Sequence, residues 1–198
     1  APTEAPTEPP VVLDPTKMVD LSIGRCHVAA LYEDGSVDVV YLSDQMRRMY
    51  PAWEVWDASA ALEWTGIQQI AMGTFHMAGL KADGTVVAVG GNAKGECDTQ
   101  QWTDIVSVAV ADHITLGLKA DGTVVTAGAN DKIGDLSALE NVTAIDLGSG
   151  RLEYLCKDGS WNRRMGTSDQ LLGTYPELVK LYSTENDSLG VLADGTVV

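Results

Sequence analysis

Short apolar runs alternate with polar turn residues along most of this chain, and they recur in a fixed order. Ile105-Val-Ser-Val-Ala-Val110 is rich in Val and bounded by turn residues, which predicts a strand. Thr115-Leu-Gly-Leu-Lys119 predicts a second strand, Ala120-Asp-Gly122 a tight turn, and Thr123-Val-Val-Thr-Ala127 a third strand. Gly128 and Asn130 then open a polar loop, as Gly90 and Asn92 do at the same offsets one unit earlier. No segment within a unit has the period and length of a helix.

The turn sets the register. An Asp-Gly-Ser/Thr anchor occurs at Asp34-Gly35-Ser36, Asp83-Gly84-Thr85, Asp121-Gly122-Thr123, Asp158-Gly159-Ser160 and Asp194-Gly195-Thr196. The last three intervals are nearly constant, at about 37 residues, and the first is about eleven residues longer. Four residues before each anchor Gly stand Leu31, Leu80, Leu118, Leu155 and Val191. Further back, Leu21, Ile70, Val108, Ile145 and Leu181 align, then Met18, Ile67, Ile105, Val142 and Leu178. Each unit is a small antiparallel sheet that cannot bury both faces alone. Stacking such sheets around an axis does so, which predicts an all-β propeller of about five repeats over residues 18–198. Five repeats leave two architectures open: a small closed ring, or part of a larger one. In the first, Val11–Leu13 supplies a missing outer strand and removes the open edges.

Composition narrows the partners. The 198 residues are 45 % hydrophobic, enough for one substantial domain. Thirteen Lys and Arg face 28 Asp and Glu, a net charge of −15. Such a chain repels phosphate backbones and anionic lipid, which argues against nucleic acid as a partner. No apolar run approaches the ~20 residues that span a bilayer. Residues 1–17, which begin APTEAPTEPP, stay extended and self-repelling. They read as a linker of the kind that holds domains away from a cell wall or membrane, or as a frayed terminus. That start also reads as lying downstream of any processed leader. Cys26, Cys97 and Cys156 have no CxxC or zinc-ligand spacing and fit buried thiols, with one disulfide plus one free thiol as the alternative.

The second unit, Gly73-Thr-Phe-His76-Met-Ala-Gly-Leu80-Lys-Ala-Asp-Gly-Thr85-Val-Val-Ala-Val-Gly90-Gly-Asn92, resembles a repeat of the regulator of chromosome condensation type. The spacer Trp102-Thr-Asp-Ile-Val-Ser-Val-Ala resembles the secreted bacterial branch of that family. The resemblance covers about residues 18–198, strongest in the second and third units. It is weakest in the fourth, where Arg163 and Arg164 interrupt the apolar strand and Met165 replaces Gly. It implies a β-propeller, usually of seven blades. It also implies that His27 and His76, which share an offset, are structural histidines bridging blades. Secreted bacterial propellers similar to this one include inhibitors of β-lactamase, although no inhibitory loop here matches closely.

Motifs for catalysis and cofactors are missing from the sequence: there is no GxSxG, P-loop or HExxH. The Asp-Gly-Thr anchors lack the alternating ligands of an EF-type loop and read as turns. Three His in different units make no metal set, so neither catalytic nor metal residues nor a cofactor are expected. Trp64 and Trp102 recur at the repeat period and read as packing. The long first interval, within residues 42–63, carries Arg47, Arg48, Tyr50, Trp53 and Trp56. Aromatics beside arginines favour a contact surface, with the polar loop around Asn92 and Lys94 beside it. The other reading is an insertion that folds back, with Trp53 and Trp56 capping the core. The expected function is non-catalytic binding of a protein or glycan outside a bacterial cell or on its surface. A secreted enzyme inhibitor is the alternative and a polysaccharide-active enzyme a more distant one. Oligomerisation or strand exchange is expected if the ring is incomplete.

Overall fold

A computed structural model describes residues 15–25, 27–41, 56–148, 150–183 and 187–198. The first sheet is β1 (Met18–Ile23), β2 (His27–Tyr32) and β3 (Val37–Tyr41), and the second is β4 (Ile67–Met72), β5 (His76–Lys81) and β6 (Val86–Gly90). The third is β7 (Ile105–Ala111), β8 (Ile114–Lys119) and β9 (Val124–Gly128). The fourth has four strands, β10 (Val142–Gly148), β11 (Arg151–Cys156), β12 (Ser160–Met165) and β13 (Ser168–Thr174). The last pairs β14 (Leu178–Ser183) with β15 (Ser188–Leu192), and Val197 bridges Val191 to begin a third strand. All these pairings are antiparallel. A 3-10 turn, Ser59–Glu63, leads into β4.

The innermost strands follow one another around an axis. β4 packs against β1 and β7, and β10 against β7 and β14. Together with β1 and β14 they line a channel of about 1030 Å³. Core residues lie between consecutive sheets. Ala29, Leu31, Val37 and Val39 of the first meet Ile67, Ile70, Met72 and Met77 of the second. Ala78, Leu80 and Val86 of the second meet Ile105, Val108 and Val110 of the third, and the pattern continues through the fourth and fifth. Each sheet therefore has a forward face and a backward face, both apolar. This is why its strands read as apolar runs rather than strict alternation.

The anchor turn has two tasks, which explains its residues. Asp83 Oδ1 accepts from the Thr85 N–H (3.0 Å) and hydroxyl (2.6 Å), closing a local turn. Asp34 with Ser36, Asp121 with Thr123 and Asp158 with Ser160 repeat that geometry. The turn also docks onto the next repeat. Gly84 sits at φ +78°, and a Cβ there would stand 3.3 Å from Asp104. Its carbonyl accepts from Ile105 N–H, as Gly35 does from Ile67 and Gly122 from Val142. Only glycine combines that φ with so close a neighbour.

Side chains reinforce the seams. Trp64 lies on Gly79 and Trp102 on Gly117, each ring 2.9 Å from where a Cβ would be. Gln69 pairs with both backbone groups of Val108 in the next sheet, through Oε1 at 2.9 Å and Nε2 at 3.1 Å. Asp146 does similar work between the fourth and fifth sheets, accepting from the Ser183 N–H and hydroxyl.

The fourth repeat corrects the expectation drawn from Arg163 and Arg164. Both lie within β12, so they do not interrupt the strand. A two-residue turn with Gly166 at φ +61° then folds back into β13, which replaces the polar loop of the other repeats. Arg164 holds that extra strand through Asp169 at 2.8 and 2.6 Å, while Arg163 turns to Glu153 on β11. The Val11–Leu13 patch and Cys26 lie outside the described residues, as do Arg47, Arg48, Tyr50 and Trp53 of the insertion.

Candidate interaction surface

One rim of the propeller, where the second, third and fourth sheets meet, gathers the loops that follow β4, β6, β7 and β9. Asn92, after β6, shapes its loop with both ends of its amide. Its Oδ1 accepts from Cys97 N–H at 2.8 Å and its Nδ2 donates to Asp98 at 2.9 Å. The loop carries Glu96 inward until it is 1 % exposed. Its carboxylate accepts from Lys94 N–H at 2.7 Å and meets His113 Nδ1 at 3.2 Å. Burial pushes the Glu96 carboxyl up, but the bonds from its own backbone, His113 and Lys94 outweigh this and leave it below its ordinary range.

The imidazole of His113 stacks on Phe75, ring centres 4.5 Å apart and only 8° from parallel. These two residues occupy the same offset in consecutive repeats, nine before the anchor Gly, so the blade-to-blade step places one ring over the other. Beside them Thr74 donates to Asp112 at 3.0 Å, and Asp112 pairs with Lys132 at 3.1 Å. Lys94, Asp112, His113, Asp131, Lys132 and Arg151 border a cavity of about 50 Å³ between the third and fourth sheets. The rim thus presents a half-buried aromatic stack flanked by two exposed lysines, on a protein whose net charge is −15.

Beneath this rim lies His76, fully buried. Its Nε2 lies 2.7 Å from the Thr115 hydroxyl, which itself donates to the Glu96 carbonyl at 2.8 Å. The hydroxyl proton is thereby committed, so Nε2 carries the imidazole hydrogen. His27 makes the corresponding bridge to the Trp56 carbonyl at 3.1 Å. Both are the structural histidines that the resemblance implied. Burial pushes His76 down to about 4. An unfolded histidine takes up its proton near pH 6.5, so the neutral imidazole stabilises the fold above that pH. This contribution, about 3 kcal/mol, is lost as pH falls from 6.5 towards 4. His76→Gln keeps a donor at this place and is expected to flatten the loss, measured by urea unfolding at pH 7.5 and 4.5. An unchanged pH slope in the variant would remove His76 from the account.

The sequence-named residues fall into three groups. Trp56 is 8 % exposed and belongs to the core, stacked on His27 with centres 4.2 Å apart, so its side chain leaves the candidate contact surface. Lys94 and Asn92 are exposed on the rim, although the Asn92 amide is engaged within its own loop. The remaining four are those of the insertion already placed outside the described residues. Phe75, Asp112, His113 and Lys132 were not among the sequence-named contacts. Their signal was the shared offset of Phe75 and His113, together with Phe75 being the chain's only phenylalanine.

Sheets stacked about a channel, joined through Asp-Gly turns, define a β-propeller fold. Residues 67–96 match the Regulator of chromosome condensation (RCC1) repeat, so the chain carries a repeat of that family. No curated protein sequence matches it. Among solved structures, human WBSCR16 superposes with a TM-score of 0.67 at 13 % identity, over 91 % of this chain and 60 % of that one. Yeast RCC1 (Prp20), in a complex with Kap60, gives 0.66 at 16 % identity, over 92 % and 56 %. The ectodomain of the receptor kinase CR4 from Physcomitrella patens gives 0.63 at 16 % identity, over 89 % and 49 %. The chain therefore spans about half to three-fifths of these longer proteins. Among the described residues no helix is long and apolar enough to cross a membrane. Nor is any group of three or more His, Cys, Asp or Glu placed to hold a metal ion.

Proposed function

We propose that the chain is a non-catalytic protein-binding propeller segment acting outside a cell or on its surface. Its contact surface is the rim built by Phe75, His113, Lys94 and Lys132. The observation that carries this is the Phe75–His113 stack, half-buried and held from below by the buried Glu96. A preformed aromatic platform between charged groups binds at low entropic cost, because its rings are already fixed. The partner it fits presents an apolar or aromatic side chain to the stack and a carboxylate towards Lys94. Yeast RCC1, with this fold, is found bound to a protein, Kap60, which supports a protein rather than a sugar as ligand. The extracellular assignment is supported by the Pro-, Thr- and Glu-rich residues 1–17.

Removing the positive charge of two exposed side chains tests this reading. Lys94→Glu with Lys132→Gln is expected to weaken capture of a partner protein by tenfold or more, at a cost in stability of about 1 kcal/mol or less from losing the exposed Lys132–Asp112 pair. Capture would be read by quantitative cross-linking of the wild-type and double-variant chains on intact cells. Equal capture by both, or turnover of a glycan panel by either, would overturn it.

A further inference from the structure

The ring stack on the rim stops at the third blade, and the step that would extend it leads into the small cavity. The offset nine before the anchor Gly holds Phe75 in the second repeat, His113 in the third and Gly150 in the fourth. Phe75 covers one face of the His113 imidazole, with ring centres 4.5 Å apart. At the next seam Gly150 brings no side chain to the other face. The cavity of about 50 Å³ lies there instead, bordered by both His113 and Gly150. Apart from Lys94, the residues around it belong to the third and fourth repeats, which puts it on the side of His113 away from Phe75.

Its walls suit a ring. Ile114, Ala129, Ile133 and Leu147 make one wall apolar. The Lys132 stem forms another by crossing Gly150, its Cδ 3.0 Å from where a Cβ would be. Gly150 itself sits at φ +77°, so a side chain of this protein's own would be strained there as well as obstructed. A water needs ~10–15 Å³, so the space holds about four waters, the scale of one side-chain ring. Lys94, Lys132 and Arg151 border it against Asp112 and Asp131, three cations to two carboxylates. That balance is the reverse of the chain's net −15.

We infer that this cavity receives one aromatic ring of the partner protein, stacked on the second face of His113, with a carboxylate of the same partner directed to Lys94 and Lys132. The inference rests on the rim reading above and narrows it from a surface to a pocket, and from an apolar or aromatic side chain to an aromatic one. The His113 plane is held by Phe75 and Glu96 before anything binds, so little ordering opposes entry. A parallel stack rewards a second flat ring over an aliphatic group of equal bulk.

N-acetyl-L-phenylalanine carries both groups and is the probe, titrated at pH 7.5 into the 198-residue chain. N-acetyl-cyclohexylalanine keeps the bulk without the aromatic face, and N-acetyl-L-phenylalaninamide keeps the ring without the charge. Proton–carbon NMR follows the imidazole signals of the three histidines. Saturable binding in the millimolar range is expected. The His113 ring protons are expected to move upfield through ring-current shielding, while those of the buried His76 stay nearly still. The cyclohexyl analogue is expected to bind about fivefold more weakly and the amide about threefold. His113→Asn keeps a donor beside Glu96 and removes the ring. Saturation transfer to the probe is expected to show about tenfold weaker binding by this variant, with its melting temperature confirming the fold. Unmoved His113 signals, an analogue or amide that binds as tightly as the probe, or undiminished binding by His113→Asn would overturn the pocket. Partner capture lost with the two lysines would stand in any of these cases, so the two readings fail separately.

Discussion

Trp56→Ala is expected to lower stability by about 3–5 kcal/mol, the usual cost of deleting a large buried aromatic. At this chain length that corresponds to a fall in melting temperature of about 10 °C or more. Trp56 makes three contacts at the seam of the first two blades, two through its indole and one through its backbone. It stacks on His27, its Nε1 donates to the Thr74 carbonyl at 3.2 Å, and its own carbonyl meets His27 Nε2. Truncation removes the ring stacked on the buried His27 imidazole, leaves the Thr74 carbonyl without its indole donor, and opens a cavity in the apolar cluster that holds Ala58, Ala61 and Met72; the backbone bond to His27 Nε2 stays. Trp56→Phe keeps an aromatic face but leaves the Thr74 carbonyl without its donor, so a loss of about 1 kcal/mol is expected. Thermal unfolding followed by circular dichroism separates the cases. An alanine variant melting with the wild type would return Trp56 to the surface.

The anchors made most of the fold legible. Asp-Gly-Ser/Thr is readable because one backbone conformation needs glycine and the turn needs a carboxylate and a hydroxyl two residues apart, all local requirements. Strands between anchors were readable because both faces of each blade are covered, so apolar residues run continuously. The third repeat shows how close this comes: the sequence puts strands at 105–110, 115–119 and 123–127, and β7, β8 and β9 begin and end within a residue of these bounds.

Illegible features rest on contacts distant in sequence. Trp56 lies in the one long interval, where repeat register no longer says which way a side chain points. The packing of Trp64 was readable because Trp102 repeats it. β13 was hidden because Arg163, Arg164 and Asp169 are polar residues in a strand, and their partners lie on other strands. The Phe75–His113 stack needed the blade-to-blade step as well as the shared offset, since the two residues differ in type. Asp112 and Lys132 pair between two loops of the third repeat and lie twenty residues apart, so no local pattern marks them.

Glu153 offers the sharpest test of how the fourth blade departs from the others. Its offset holds Ala29, Ala78 and Leu116 in the first three repeats, and Arg163 stands where they have Val39, Ala88 and Thr126. The carboxylate is 0 % exposed. It accepts from Arg163 Nε and Nη2 at 3.1 Å each, from Trp161 Nε1 at 3.0 Å and from the Ser188 hydroxyl of the fifth blade, with Arg151 3.9 Å away. Desolvating such a group is costly, and the pairing offsets that cost only while every partner is present. Glu153→Ala leaves the Arg163 guanidinium with only the Ser188 hydroxyl, the indole N–H without its acceptor and Arg151 without its nearby carboxylate, and a loss of about 3–5 kcal/mol is expected. Glu153→Leu combined with Arg163→Val rebuilds the apolar layer of the earlier repeats. It is expected to recover at least half of that loss, although Trp161 Nε1 still lacks its acceptor. Urea unfolding of the single and double variants measures the coupling directly. A double variant no more stable than Glu153→Ala would mean that the seam depends on the charges themselves, and the fourth blade would then be a distinct polar joint rather than an apolar one with an ion pair substituted into it.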